Sequence, residues 1–269
     1  MSDPHLGDYT PRKIMQIDAF APYMLQSNYS MSLPMSQEPS FVFGSSYCAF
    51  FGASSKNGFH QGMAFQIIIS KTSLVTVIGE NDEAHVGKII LIKPSTVSKI
   101  CPDEPVTHLY LSPTIDFTLD LMDVLGDDSI HVLSSSEHIP FNSESTDAEI
   151  IAALDKLDQI STDRLDPRLV DVLDDLNQNL DSPSILDAAQ RCGLSRSRVR
   201  TLAREQLGIP LSTWVTWRKL VLANKALSVG ANLTEAALVG HFSDQAHFSR
   251  TMKKMFGVTP TVAVLAYTE

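Results

Sequence analysis

The chain is 269 residues long and 43% of its residues are hydrophobic, so it is large enough for two domains with separate cores. No apolar run approaches the roughly 18 residues needed to cross a bilayer. The N-terminus has neither the basic region nor the apolar region of a signal peptide. Three cysteines without metal-type spacing predict reduced thiols and a cytoplasmic location.

The charge is divided unevenly along the chain. The formal net charge is −10, yet residues 182–269 hold eleven Lys and Arg against five Asp and Glu, a net of +6 that leaves −16 for residues 1–181. A basic module joined to an acidic one is typical of a nucleic-acid-binding domain with a separate partner domain. We therefore expect the two halves to have different functions.

Residues 1–145 predict an antiparallel β-barrel or jelly roll, although the first ~20 residues show no clear period and fit an arm or a disordered segment. Short β-rich runs recur between clusters of Gly, Pro, Asn, Ser and Asp. The predicted strands are Phe41–Phe43, Tyr47–Phe51, Ala64–Ile69, Leu74–Ile78, Ile89–Ile92 and Val106–Leu111. Residues 66–77 have the form of a hairpin, and residues 87–94 resemble the Gly–strand–Pro segment of cupin-type jelly rolls.

A closed barrel with an apolar lining would form a natural pocket for a small molecule. The candidate lining residues, which strand alternation alone cannot separate from a packed core, are Phe43, Phe50, Phe65, Ile67, Val75, Ile90 and Ile92.

A metal-dependent cupin enzyme is the less favoured alternative. It would take ligands from His60, Glu80, His85, Cys101 and His108, but no two of these histidines are separated by a single residue. We expect no metal, no cofactor and no catalytic activity.

Residues 146–165 predict an amphipathic helix followed by a flexible link. Four aliphatic side chains lie on one face of the helix, at Ile150, Ile151, Leu154 and Leu157. This face could pack on the barrel of the same chain or pair with a second copy, and we favour pairing in a homodimer. Residues 161–167 break the helical pattern, so the third region is placed at residues 166–269.

This third region contains two helix-turn-helix patterns in tandem, at residues 185–208 and 234–257. In each, a short helix is followed by a turn and by a second helix, which starts after Ser195 or Asp244, both good N-caps. The turns carry Gly193 and His241, and His tolerates the positive φ that such a turn needs. Residues 211–229 predict a joining helix of roughly 28 Å, close to the ~34 Å of one turn of B-DNA.

These residues resemble the AraC/XylS family of bacterial transcription regulators. The likeness covers about residues 166–266 and rests on Gly193–Ser195, Gly208, Trp217–Leu220, His241–Phe242, His247–Arg250, Lys253–Gly257 and Thr259–Pro260. It implies an α+β protein with a cupin-like sensory domain, an all-α DNA-binding domain and a dimer contact near residues 147–160. The implied partners are double-stranded DNA, a small-molecule effector, RNA polymerase and a second copy of the chain. A regulator whose barrel binds no ligand, and only dimerises or contacts a protein, stays an alternative.

In each motif, residues of the helix that follows the turn are the predicted DNA contacts. In the first motif Arg196 and Arg200 are candidate base readers, since Arg pairs with guanine through two hydrogen bonds. Ser197 allows close approach, and Arg204 is a phosphate contact. In the second motif the matching positions are Gln245, Ala246, Ser249 and Arg250, with Lys253 as a phosphate contact and His247 in either a DNA-contact or a packing role. Trp214 and Trp217 are expected in the core.

Overall fold

The computed structural model describes residues 40–52, 59–102, 104–134, 138–157, 163–257 and 259–261. Within them the strands are β1 (Ser40–Phe43), β2 (Tyr47–Gly52), β3 (His60–Gln61), β4 (Phe65–Ser70), β5 (Val75–Gly79), β6 (Ala84–Gly87), β7 (Ile89–Ile92), β8 (Val97–Cys101), β9 (Val106–Leu111) and β10 (Ile130–Val132). The helices are α1 (Asp116–Leu125), α2 (Asp147–Leu157), α3 (Pro167–Gln178), α4 (Ile185–Arg191), α5 (Arg196–Leu202), α6 (Leu211–Ser228), α7 (Leu233–Val239) and α8 (Gln245–Phe256). The expected N-terminal arm and residues 158–162 of the expected link lie outside the described residues.

The N-terminal strands form two antiparallel sheets. The six-stranded sheet has the order β1-β2-β9-β4-β7-β10, and the four-stranded sheet has the order β3-β8-β5-β6. Ile68 and Ile90 of the larger sheet pack against Val77 and Ile100 of the smaller sheet. The predicted α+β fold class is therefore confirmed, and the sheet-rich region has the form of a two-sheet sandwich.

The expected hairpin over residues 66–77 is wrong. Strand β4 pairs with β7 and β9, whereas β5 pairs with β6 and β8 in the other sheet. All six residues of β4 are buried, which suits a strand in the middle of a sheet covered on both faces. Residues 71–74 therefore carry the chain from one sheet to the other, and the polar residues Lys71, Thr72 and Ser73 alone do not distinguish such a crossing from a tight turn.

Helices α1 and α2 cover the outer face of the six-stranded sheet. Ile150 and Leu154 of α2 are 0% and 1% exposed, in one core with Phe65 and Ile67 of β4. Ile151 and Leu157 are half-buried against the same core. The proposed dimer face is therefore corrected, because these four side chains already pack on the sheet of their own chain.

The candidate pocket-lining residues belong to three different cores. Phe65 and Ile67 face the helices, and Val75, Ile90 and Ile92 lie between the two sheets. Phe43 and Phe50 pack against the C-terminal helices. These side chains fill packed cores and do not line one common space.

Two cores organise the C-terminal helices. Trp214 of α6 packs with α3, α4 and α5 around Leu173 and Val199. Trp217, three residues further along α6, packs with α7 and α8 around Phe248. Both tryptophans are buried, as expected, and α6 joins the two cores as a continuous helix of 18 residues.

Candidate nucleic-acid interface

The first helix-turn-helix unit comprises α4, a turn and α5. The hydroxyl of Ser195 accepts a hydrogen bond from the backbone N–H of Arg198 at 3.2 Å, and this N-cap starts α5 at the expected residue. Gly193 has a φ of 69°, a value that favours glycine. The N–H of Leu194 donates to the carbonyl of Ala189 at 2.8 Å, which closes the turn after α4.

The exposed side of α5 is strongly basic. Val199 and Leu202 face the core of the first unit, while the exposed side carries Arg196, Ser197, Arg198 and Arg200. After Leu202 the chain continues as one π-helical turn, Ala203–Leu207, which carries the exposed Arg204. The first unit therefore brings the predicted base readers and the predicted phosphate contact to one exposed helix.

The second unit repeats this backbone path with different residues. His241 takes the place of the turn glycine and has a φ of 55°. The N–H of Phe242 donates to the carbonyl of Ala237 at 2.9 Å, which matches the bond at Leu194. A carboxylate oxygen of Asp244 accepts from the N–H of His247 at 2.6 Å, and this bond holds the pKa of Asp244 below its usual range. The predicted positive φ at His241 is confirmed.

The outer side of α8 is polar and only partly basic. Gln245, Ala246, Arg250 and Lys253 are exposed, and Ser249 is half-buried. The ring of His247 lies edge-on to Phe242, with the centroids 5.3 Å apart, and its Nδ1 is 3.1 Å from the hydroxyl of Ser243. Of the two roles predicted for His247, these contacts support packing within the turn.

The second unit sits close against the joining helix. A Cβ on Gly240 would lie 2.7 Å from both the Cβ of Ala223 and the carbonyl oxygen of Lys219 on α6. Only glycine allows this approach, a role for Gly240 that sequence reasoning missed. At 1.5 Å per residue α6 is about 27 Å long, compared with ~34 Å for one turn of DNA.

The N-terminal region contacts both units. Leu119 of α1 joins the core of the first unit, and Phe41 of β1 and Tyr110 of β9 join the core of the second. Arg218 on α6 is only 7% exposed and donates to the side chain of Asn177 at 2.9 Å and to the carbonyl of Ser45 at 2.7 Å. Sequence reasoning gave Arg218 no role, although a charge inside the apolar pattern of α6 was the available signal.

Other kinds of site receive little support within the described part of the chain. No group of three or more His, Cys, Asp or Glu side chains there is arranged to hold a metal ion. Cys48, Cys101 and Cys192 are free. Among the same residues, no helix combines the length and the apolar composition that crossing a membrane requires.

Comparison with known proteins finds relatives of the C-terminal domain. Residues 188–264 match the family model described as a helix-turn-helix domain. YkgA of Escherichia coli (strain K12), which its name describes as an HTH-type transcriptional regulator, is 36% identical over 94 residues, 34% of this chain and 39% of YkgA. The C-terminal region therefore contains a helix-turn-helix domain. The chain spans about two-fifths of the length of YkgA, so the match characterises this domain alone.

The solved structures extend the likeness to both halves of the chain. A 1.65 Å structure of ToxT from Vibrio cholerae matches with a TM-score of 0.51 and 13% identity, over 83% of this chain and 100% of that chain. ToxT bound to (E)-4-(8-methylnaphthalen-1-yl)but-3-enoic acid matches with a TM-score of 0.50 and 13% identity, over the same shares. At this identity the likeness shows the fold alone. The shared fold has a sheet-rich region before a helical region.

Proposed function

We propose that this chain is a sequence-specific, DNA-binding transcription regulator that acts in the cytoplasm and has no catalytic role. The carrying observation is the pair of helix-turn-helix units on one rigid helix, each with an uncovered second helix. Arg196 and Arg200 are the proposed base readers of the first unit, with Ser197 allowing close approach and Arg204 on phosphate. In the second unit the proposed contacts are Gln245, Ala246, Ser249, Arg250 and Lys253.

Selection of bound sequences from randomised duplex DNA tests this function. The full chain should enrich two short elements whose centres are about 10 base pairs apart, one for each unit. An Arg196→Ala, Arg200→Ala double variant should lose the first element and keep the second. Failure of the folded wild-type chain to enrich any sequence at low salt would overturn the proposal.

We also propose that the N-terminal region makes the regulator responsive to a small molecule. A groove of about 390 Å³ lies where Met63, between β3 and β4, meets α6 and α8. Val215 and Phe242 give it an apolar wall, and Lys219 and Lys254 give it positive charge. Burial lowers the pKa of Lys219, so a bound anion would stabilise its charged form. An apolar carboxylic acid, the chemical class bound in one ToxT structure, matches both features.

Thermal unfolding in the presence of the naphthyl-butenoic acid bound to ToxT tests the groove. Ligand at 100 times its Kd should stabilise the folded chain by about 2.7 kcal/mol. Lys219→Ala should weaken the effect, whereas Lys225→Ala, an exposed lysine further along α6, should leave it unchanged. An unshifted midpoint at saturating ligand favours the alternative, in which this region binds no such ligand and only contacts a protein.

Homodimerisation and contact with RNA polymerase are further parts of the proposal. A dimer would use a surface other than the buried face of α2. Sedimentation of the full chain, free and bound to DNA, measures the stoichiometry, and a single chain on every bound duplex would overturn the dimer.

A further inference from the structure

A row of buried polar side chains crosses the six-stranded sheet and ends at the second unit. We name Gln66, His108 and Tyr110 the polar row. The amide group of Gln66 lies 2.8 Å from Nε2 of His108, and Nδ1 of His108 lies 3.0 Å from the hydroxyl of Tyr110. That hydroxyl donates to the carbonyl of Phe256, the last residue of α8, at 2.8 Å.

The chemistry of the three groups fixes the direction of these bonds. A carbonyl only accepts, so Tyr110 gives its single proton to Phe256, and Nδ1 of His108 must then donate to Tyr110. Burial, with a smaller contribution from His60, lowers the pKa of His108 to about 3, so the ring is neutral and its Nε2 accepts. The oxygen and nitrogen of a side-chain amide are assigned from the hydrogen bonds around them. As placed, the oxygen of Gln66 faces Nε2 of His108 and its nitrogen has no partner among the described residues, so turning the amide over makes the nitrogen the donor to His108.

The position of this bond gives it a role at the helix end. The last carbonyls of an α-helix have no partner within the helix, and Tyr110 supplies one from a residue 146 positions away. Phe256 is also enclosed by the rings of Phe43, Tyr110 and Trp217, at centroid distances of 5.9, 5.0 and 5.6 Å. The end of α8 is therefore fixed to the sheet by one directed bond within an apolar contact.

The docked sheet leaves the DNA-reading end of α8 uncovered. Gln245, Ala246 and Arg250 are exposed, whereas the contacts with the sheet use the opposite end of the helix, at Phe256. This separation favours a docked sheet that orients the helix over one that blocks it.

We propose that Tyr110 is a positioning residue for DNA recognition: by capping the last carbonyl of α8, its hydroxyl orients the second unit relative to the first. The inference rests on the proposed DNA-binding function. It extends the DNA-recognition apparatus into the N-terminal sheet, through a residue that does not itself touch DNA.

The test compares Tyr110→Phe with Tyr47→Phe in the full chain. Tyr47 is a matched control, because its hydroxyl is also bonded within the N-terminal region, to Asp155 of α2 at 2.6 Å, but on the face of the sheet away from the second unit. The probe is the duplex that the wild-type chain selects from random DNA. Its second element is defined as the base pairs at which Gln245→Ala relaxes the preference. Tryptophan fluorescence verifies that both variants are folded.

Tyr110→Phe should weaken binding to the full duplex by about threefold to tenfold, as expected for the loss of one hydrogen bond. Its base preference should relax at the second element only, and Tyr47→Phe should behave as wild type. Equal profiles for the two variants would overturn the inference, as would loss at both elements or tighter binding by Tyr110→Phe. If the wild-type chain selects no duplex, the proposed function itself fails, which is a separate outcome.

Discussion

The two helix-turn-helix units share a backbone path but not a surface. Gly193 and His241 adopt the same positive φ, and Ser195 and Asp244 cap the helices that follow. The exposed side of the first unit is dense in arginine, whereas that of α8 combines one arginine with polar residues and terminal lysines. A few turn and cap positions therefore set the geometry, while the remaining exposed positions are free to differ in what they recognise.

The units also differ in what supports them. The core of the first unit takes one buried side chain, Leu119, from the N-terminal region. The core of the second takes five, namely Phe41, Cys48, Phe50, Ala64 and Tyr110. The six-stranded sheet completes the core of the second unit. The four-stranded sheet covers only part of the inner face of the six-stranded sheet, and the C-terminal helices cover another part. The second unit should accordingly be the more sensitive to changes in the N-terminal region.

The largest effect is expected from Leu154→Glu. This change should disrupt the N-terminal sheet and so remove the support that the sheet gives to the second unit. A carboxylate in place of a side chain that is 1% exposed should cost more than about 4 kcal/mol and unfold the N-terminal region. In a Trp214→Phe background, the emission of Trp217 should then shift to the red. Circular dichroism should show loss of strand signal with the helical signal largely retained.

Ala152→Glu is the control for this change, because Ala152 is exposed on the same helix and its variant should stay folded. A folded Leu154→Glu chain with native emission would contradict both the packing of α2 and the dependence of the second unit on the sheet.

The next effect distinguishes the surfaces of the two units. Arg200→Ala should weaken specific binding by about 1–3 kcal/mol and relax preference at one base pair of the first element. Arg250→Ala should relax preference within the second element instead. Lys225→Ala, which changes an exposed charge near the end of α6, is the control in competition binding. An unchanged ratio of specific to random affinity for Arg200→Ala would refute its assignment as a base reader.

The sequence predicted the helical half in more detail than the sheet half. Caps at Ser195 and Asp244 and the lack of Gly or Pro in residues 211–229 are local signals, so α5, α6 and α8 start where expected. The sheets depend on pairing between distant residues, so the short strands β3, β6, β8 and β10 and the helix α1 were missed. Amphipathicity identified the apolar face of α2 but not the surface that covers it, because a sheet and a second copy would bury it equally well.

A smaller effect, of opposite sign in the two units, is expected at the turns. Gly193→Ala should destabilise the first unit by about 1 kcal/mol, since alanine is disfavoured at a φ of 69° even where the space is open. His241→Gly should stabilise the second unit by up to about 1 kcal/mol, since the exposed imidazole is replaced by the residue that the turn favours. Urea unfolding followed by tryptophan fluorescence measures both, because both tryptophans of the chain lie on α6. Effects of the same sign would mean that the turns are not equivalent.

The smallest effect separates charge from base recognition. Arg204 lies in the π-helical turn after α5, the helix that carries Arg196 and Arg200. Its neutralisation should remove one phosphate contact. Arg204→Ala should therefore reduce the slope of log affinity against log salt by about 1 and leave the selected sequence unchanged. Lys253→Ala should do the same through the second unit. The exposed side of the second unit carries fewer cations than that of the first, so the first unit should contribute more to the electrostatic part of DNA affinity. A larger slope change for Lys253→Ala than for Arg204→Ala would reverse this order. The slopes are measured across a range of salt concentrations, on the selected duplex and on a random duplex. Equal slope changes on the two duplexes would identify these contacts as independent of sequence.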